Sequence, residues 1–237
     1  MKNRTFSALT VAAFLAASAA LVGCSKQAPE QGEQKTSAPA SDVIKIGVFQ
    51  PLTGANSAGG ADELEGIKLA NKLYPTALGK KGELVIVDNK SDKVEAANAA
   101  TVLTQKEKVN AELGTWGSSL SMSGGPIFAE ATIPAVALSA TNPNVTKGNE
   151  YYFRVCFLDP FQGTVGAAYA YNTLKAKKVA IIREVSNDYS VGLTKFFVDN
   201  FVKLTGDDKA VVATADYNTG VQDFSAQLTS IKQHNPD

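Results

Sequence analysis

From Val43 to Gln233 the chain alternates short apolar runs with longer amphipathic ones, and this rhythm restricts the fold more than any other feature. Strand patterns separated by helical patterns imply βαβ units, and parallel strands joined in this way are covered by helices on both faces. Val43–Phe49 is the first strand pattern, and a loop rich in Pro, Gly and Asn follows it through Gly60. A helix is expected over Ala61–Leu73, where Leu64, Ile67, Leu69, Ala70 and Leu73 form a broad apolar stripe. Gly79–Gly82 reads as a turn into a strand over Glu83–Asp88, and Asp92–Lys106 as a helix with Val94, Ala97, Val102 and Leu103 inward. A strand over Ala111–Gly114, a helix over Ser121–Ala131 and a strand over Ala135–Ser139 continue the pattern. The rhythm breaks between Phe153 and Phe161, where a strand-like Tyr151–Val155 leads into Leu158-Asp159-Pro160, and then restarts. Helices are expected over Gln162–Leu174, Ser190–Leu204 and Val221–Gln233, with strands over Lys178–Arg183 and Ala210–Asp216. The fold class is therefore α/β with parallel sheets, in two lobes spanning residues 43–155 and 156–237.

The start of the chain obeys a different logic. Lys2 and Arg4 precede an unbroken run of small and apolar residues from Phe6 to Leu21, which ends in Leu21-Val22-Gly23-Cys24. A charged start, a short apolar core and a small residue at its end form an export signal, too short and too rich in Ala and Ser for a membrane span. Leu-Val-Gly-Cys resembles the lipobox of bacterial lipoproteins, so residues 1–23 are expected to be removed and Cys24 to carry the lipid. Residues 24–42 contain Gln, Ala, Pro, Ser, Glu and Lys with almost no large apolar side chains, which suits a flexible tether. One acyl chain holds a protein to a bilayer only marginally, so a stable anchor needs more than one.

Charge excludes one class of partner. The 23 basic and 23 acidic residues balance, so no basic field exists for nucleic acid. With Cys24 assigned to lipid, Cys156 is the remaining cysteine and a disulfide framework is impossible. Followed by Phe157 and Leu158, Cys156 reads as a small buried hydrophobe.

In an open α/β sheet, ligands bind outside the carboxyl ends of the strands. Those ends carry Gln50–Gly60, Thr115-Trp116-Gly117-Ser118-Ser119, Ser139-Ala140-Thr141-Asn142-Pro143 and, in the second lobe, Glu184–Tyr189. Gly117-Ser118-Ser119 opens a helix, so free amides and hydroxyls converge where a carboxylate could sit; the alternative is that a serine simply caps the helix. Ser139, Ala140 and Thr141 offer a hydroxyl and carbonyls that accept from an ammonium, or else form only a turn before Pro143. Side by side, the two loops provide donors and acceptors for a zwitterion.

Catalytic chemistry finds less support. Glycines at 54, 59 and 60 do not match the spacing of a dinucleotide loop, and no phosphate loop is present, so no cofactor is expected. The single histidine, His234, lies in the last polar turn, which leaves Ser118 and Ser119 without a base. An α/β hydrolase would also need a G-x-S-x-G elbow. Asp88 and Asp92, interleaved with Lys90 and Lys93, read as a solvated loop and a helix cap rather than a metal site.

In their order, these loops resemble the branched-chain amino-acid (Leu/Ile/Val-type) periplasmic solute-binding family of ABC importers. The resemblance is carried by Ile44–Val48 with Leu52-Thr53-Gly54, the helix around Gly66, Val85–Asn89, Gly114–Ser119, Ile133–Val136 with Ser139–Thr141, Phe153-Arg154 with Gln162-Gly163, and Val179–Ile182 with Asp188–Gly192. It implies a non-catalytic receptor of two lobes that closes on an amino acid or related small carboxylate and delivers it to a membrane permease. Ser118 would then hold the ligand carboxylate through its hydroxyl and backbone, and Thr141 would bridge carboxylate and ammonium. The Ser139 carbonyl would accept from the ammonium, and Tyr189 would reach in from the second lobe. Apart from the resemblance, Trp116 is a candidate for a pocket wall, the alternative being an ordinary core tryptophan. The chain departs from the family in its first loop, where Gly59 or its neighbours replace an aromatic, so a wider or differently shaped pocket is expected. The family's acidic ammonium ligand would fall beyond residue 237, and an end at Asn235-Pro236-Asp237, just after a helix, suggests a chain cut short at its C-terminus with both lobes incomplete. The runner-up is a ligand-sensing protein on the same fold with no transport role.

Overall fold

The computed structural model describes residues 42–237; the expected export signal, Cys24 and all but the last residue of the expected tether lie outside the described residues. Strand β1 (Val43–Gln50) is central, and its pleat sends Val48 and Phe49 to opposite faces, both completely buried. Helix α1 (Ser57–Leu73) covers one face, packing Leu64 and Ile67 around Val48. After the two-residue strand β2 (Thr76–Ala77), strand β3 (Lys80–Asp88) pairs parallel with β1 along its whole length, from Val43 opposite Lys81 to Gln50 opposite Asp88.

The opposite face is covered by α2 (Lys93–Thr101), which a five-residue π-helical segment extends to Lys106, and by α3 (Ser118–Glu130). Asp92 starts α2 as expected, its carboxylate accepting from the amides of Val94 at 2.7 Å and Glu95 at 3.0 Å. The inward face of α2 is as expected at Leu103, which is fully buried together with Ala96, Ala99 and Ala100, but not at Val94, which is 67% exposed. Small alanines let α2 lie close to Phe49 and Phe128, whose ring centroids are 5.4 Å apart. Between the two helices runs β4 (Ala111–Gly114), followed after α3 by β5 (Ala135–Ala137) and then β6 (Tyr152–Arg154). The six strands lie in the order β2-β3-β1-β4-β5-β6, parallel except for β2 against β3.

This order reverses direction at β1. The chain moves outward from β1 to β3 and then returns to the other side of β1 as β4, so the carboxyl ends of β1 and β4 flank a switch-point crevice. Residues after β6 enter α4 (Asp159–Ala168), extended by a π-helical segment to Thr173. Then come β7 (Val179–Glu184), α5 (Asp188–Thr205), β8 (Val211–Tyr217) and α6 (Ser225–Lys232). β7 and β8 form a separate parallel pair with its own core of Ala167, Ala170, Phe201 and Ala210. Gly163 lets α4 and α5 touch: a Cβ there would stand 2.6 Å from the Cβ of Phe196.

Most differences from the expected elements are shifts of boundary. α1 begins four residues before Ala61, inside the glycine-rich loop, and α6 begins four residues after Val221. The strand expected from Glu83 already starts at Lys80, because Lys80 and Lys81 pair with β2 in place of a simple turn. Cys156, expected to be buried, is only partly so, with its thiol pushed up by that partial burial.

Candidate functional site

The ends of β4 and β5 and the start of α5 surround a cavity of about 250 Å³. Trp116, Gly117, Ser118, Ser139 and Thr141 line it from the six-stranded side, and Phe157, Gln162, Asn187 and Tyr189 from the other. Five of the sequence-derived candidates, Trp116, Ser118, Ser139, Thr141 and Tyr189, therefore converge. Ala140 does not line the cavity; it is wholly buried, and its carbonyl accepts from the Arg154 guanidinium at 2.8 Å. Arg154 also reaches Thr146 Oγ1 at 3.0 Å and the Pro143 carbonyl, so it braces the loop that carries Ser139 and Thr141.

The helix-capping alternative for the serines fails. Gly117 holds the cap position of α3 at φ 95°, and neither Ser118 nor Ser119 closes onto the helix. The buried Ser118 hydroxyl accepts from the Asn142 amide at 3.1 Å, which ties the two candidate loops together. Ser119 accepts from the Asp188 amide at 2.8 Å, reaching the start of α5. Two further bonds join the same regions: the Asn142 side chain donates to the Asp188 carbonyl at 2.8 Å, and Lys93 pairs with the Asp188 carboxylate at 2.9 Å. Burial alone would raise the Asp188 carboxyl, but hydrogen bonds from Lys93 and Ser119 and the Lys93 charge outweigh it and hold the group below its usual range. Tyr189 is fixed by Gln162, whose side-chain amide reaches its hydroxyl at 2.7 Å.

Thr141 is 7% exposed, and its hydroxyl makes no hydrogen bond of ordinary geometry within the protein. Its carbonyl accepts from the Asp159 amide at 3.1 Å. Burial raises the Asp159 carboxyl, while the nearby Thr141 hydroxyl and the Arg154 charge draw it back. The Thr141 hydroxyl thus stands between the Asp159 carboxyl and the cavity, where a ligand can also bond it.

Behind the cavity lies a polar network that sequence reasoning missed. Gln50, fully buried at the end of β1, accepts from the Trp116 amide at 2.9 Å and donates to Glu63 Oε2 at 2.8 Å. The Ser139 hydroxyl donates to the other Glu63 oxygen. Glu63 on α1 thus holds the Ser139 loop directly and reaches the Trp116 loop through Gln50. Burial raises its carboxyl, and the bonds from Ser139 and Gln50 oppose that. Glu112, on β4, is fully buried and neither carboxylate oxygen has a donor. Burial, and then the Glu63 charge, raise it well above the usual range. A signal for Glu63 was present: it lies three residues after Gly60 and four before Ile67, on the buried stripe of α1.

Comparison with known proteins identifies the family. A family model described as periplasmic binding protein matches residues 43–237. An amino acid binding protein of Pseudomonas aeruginosa is 34% identical over 196 residues, covering 81% of this chain and 51% of the relative. The crystal structure of a leucine binding protein from Thermotoga maritima is 44% identical with a TM-score of 0.77, over 81% of this chain and 54% of that one. A solute binding protein of an ABC transporter from Rhodopseudomonas palustris, in complex with p-hydroxybenzoic acid, is 27% identical with a TM-score of 0.73, over 83% and 52% of the two chains. The chain spans about half the length of the relatives it matches.

Proposed function

The chain belongs to the periplasmic binding protein family, and from that premise we propose that it is the substrate-binding lipoprotein of an ABC importer, which takes up an apolar amino acid or related small carboxylate for a membrane permease. The observation that carries this reading is the convergence of Trp116, Ser118, Ser139, Thr141 and Tyr189 on one cavity that the start of α3 also faces. Helix N-termini favour anions, so the ligand carboxylate would lie across Ser118 and Thr141. The Ser139 carbonyl would accept from an ammonium group, while Trp116, Phe157 and Tyr189 would wall the remainder.

Residues 43–155 and 156–237 would act as two lobes that close on the ligand, as two-lobed binding proteins do. In this reading the contacts of Ser119, Asn142 and Lys93 with Asp188 latch the closed form. Lipid on Cys24 and the tether of residues 24–42 would keep the receptor at a membrane surface in the periplasm or outside the cell, at raised effective concentration for its permease. Solute binding without catalysis agrees with the family.

Calorimetric titration of the acylation-free 237-residue chain with a panel of amino acids that includes L-leucine tests the proposal. Uptake of at least one apolar amino acid is expected. Failure of the whole panel to bind would sink it.

A further inference from the structure

We infer that Glu63, which does not itself line the cavity, makes the site choose a ligand with an ammonium group over one that carries only a carboxylate. This rests on the reading of the cavity as an amino-acid site. The Glu63 carboxylate forms the layer directly behind Ser139, because it accepts the Ser139 hydroxyl. Its other oxygen accepts from Gln50 Nε2 at 2.8 Å. The Gln50 amide cannot turn over without loss, since its oxygen is held by the Trp116 amide at 2.9 Å. Gln50 therefore donates to one Glu63 oxygen while Ser139 donates to the other, and these two bonds favour the ionised carboxylate against the burial that raises it.

That negative charge has no protein counter-ion among the described residues, where the ion pairs involve other carboxylates. Arg154, the basic side chain beside the same loop, donates to Ala140, Pro143 and Thr146. A carboxylate removed from water acts on its neighbourhood more strongly than one at a surface. A cation at the Ser139 carbonyl would supply the missing counter-charge, whereas a second plain carboxylate would meet only repulsion there.

Glu63 also positions the loops, so charge and support have to be separated. L-leucine and 4-methylpentanoate, which is leucine with its ammonium replaced by hydrogen, are titrated into the 237-residue chain and into Glu63→Gln and Glu63→Asp. The wild type is expected to prefer leucine, and Glu63→Gln to lose leucine affinity by at least about tenfold more than it loses 4-methylpentanoate. Glu63→Asp keeps the charge and should keep the preference even where both affinities fall. Parallel losses for both probes in Glu63→Gln would reduce Glu63 to a loop support and overturn the inference. Should Glu63→Gln not fold, loss of the preference in Glu63→Asp would overturn it equally. Equal wild-type affinity for the two probes overturns the inference while leaving a carboxylate site intact. Binding of neither probe overturns the amino-acid reading and this inference with it.

Discussion

The indole of Trp116 lies so close to Gly59 that a Cβ at position 59 would stand 2.4 Å from its Cε2 and Nε1 atoms. The two residues come from different loops, one after β4 and the other in the first turn of α1. Trp116 fills the space that a side chain at 59 would take, and it lines the cavity.

Gly59→Ala should therefore displace the indole, because no real Cβ contact persists at 2.4 Å. Forced repacking of this kind costs about 1–3 kcal/mol, and the lost wall should weaken ligand binding several-fold. In a Trp116→Ala background the same change should become neutral or stabilising, since Ala exceeds Gly in a helix by about 1 kcal/mol. Urea unfolding of the wild type, both single variants and the double variant measures the sign reversal. Additive effects would show that the contact is not what constrains position 59.

The two hydroxyls at the cavity should respond differently to deletion. Ser118 accepts from the Asn142 amide, so Ser118→Ala is expected to lower stability by about 1 kcal/mol and to weaken binding as well. The Thr141 hydroxyl makes no bond of comparable geometry and bears only on the buried Asp159 carboxyl, so Thr141→Val should cost the unliganded protein less stability than Ser118→Ala while affinity drops about tenfold. Melting curves with and without ligand separate the two. A stability loss in Thr141→Val as large as in Ser118→Ala would show that Thr141 serves the fold and not the ligand.

What the sequence could show of this site depends on the range of the interaction. Ser118, Ser139, Thr141 and Tyr189 stand at strand and helix ends, where βα alternation alone places them on one side of a sheet, and they do converge there. The partners that hold them were invisible for a physical reason. Gln50 and Trp116 are 66 positions apart and Ser139 and Glu63 are 76 apart, so their pairing exists only once β1, β4 and β5 are in register. The inward face of α2 was read rightly at Leu103 and wrongly at Val94, because alanine carries little hydrophobic signal and Ala96, Ala99 and Ala100 make the contact. The shifted starts of α1 and α6 have a related cause: local residue preference in Ser57–Gly60 and Val221–Phe224 is weak, and packing sets the ends.

Glu112 offers a test in pH. Fully buried without a donor to either oxygen, it has its carboxyl raised first by burial and then by the Glu63 charge, with the Phe49 backbone pulling the other way. Below its ordinary value of 4.5 the group is protonated in both folded and unfolded chains and contributes nothing to pH dependence. Above that value the unfolded chain releases the proton while the folded one keeps it, so stability falls as pH rises until the folded group ionises. Beyond that point the cost is complete and constant. Asp188 and Asp88, both lowered in the fold, act with the opposite sign, so the informative quantity is the difference between a variant and the wild type rather than the wild-type curve alone. Glu112→Met keeps similar length and removes the charge. Its advantage should be smallest near pH 4 and grow with a slope of up to about 1.4 kcal/mol per pH unit as pH rises. Replacing a buried charge by an apolar side chain of similar volume stabilises by about 1–4 kcal/mol where it stabilises at all, which sets the scale expected at pH 8. Urea unfolding at pH 4, 6 and 8 measures it, and an advantage that does not change with pH would mean that side-chain shape at position 112, and not its charge, is what the fold resists.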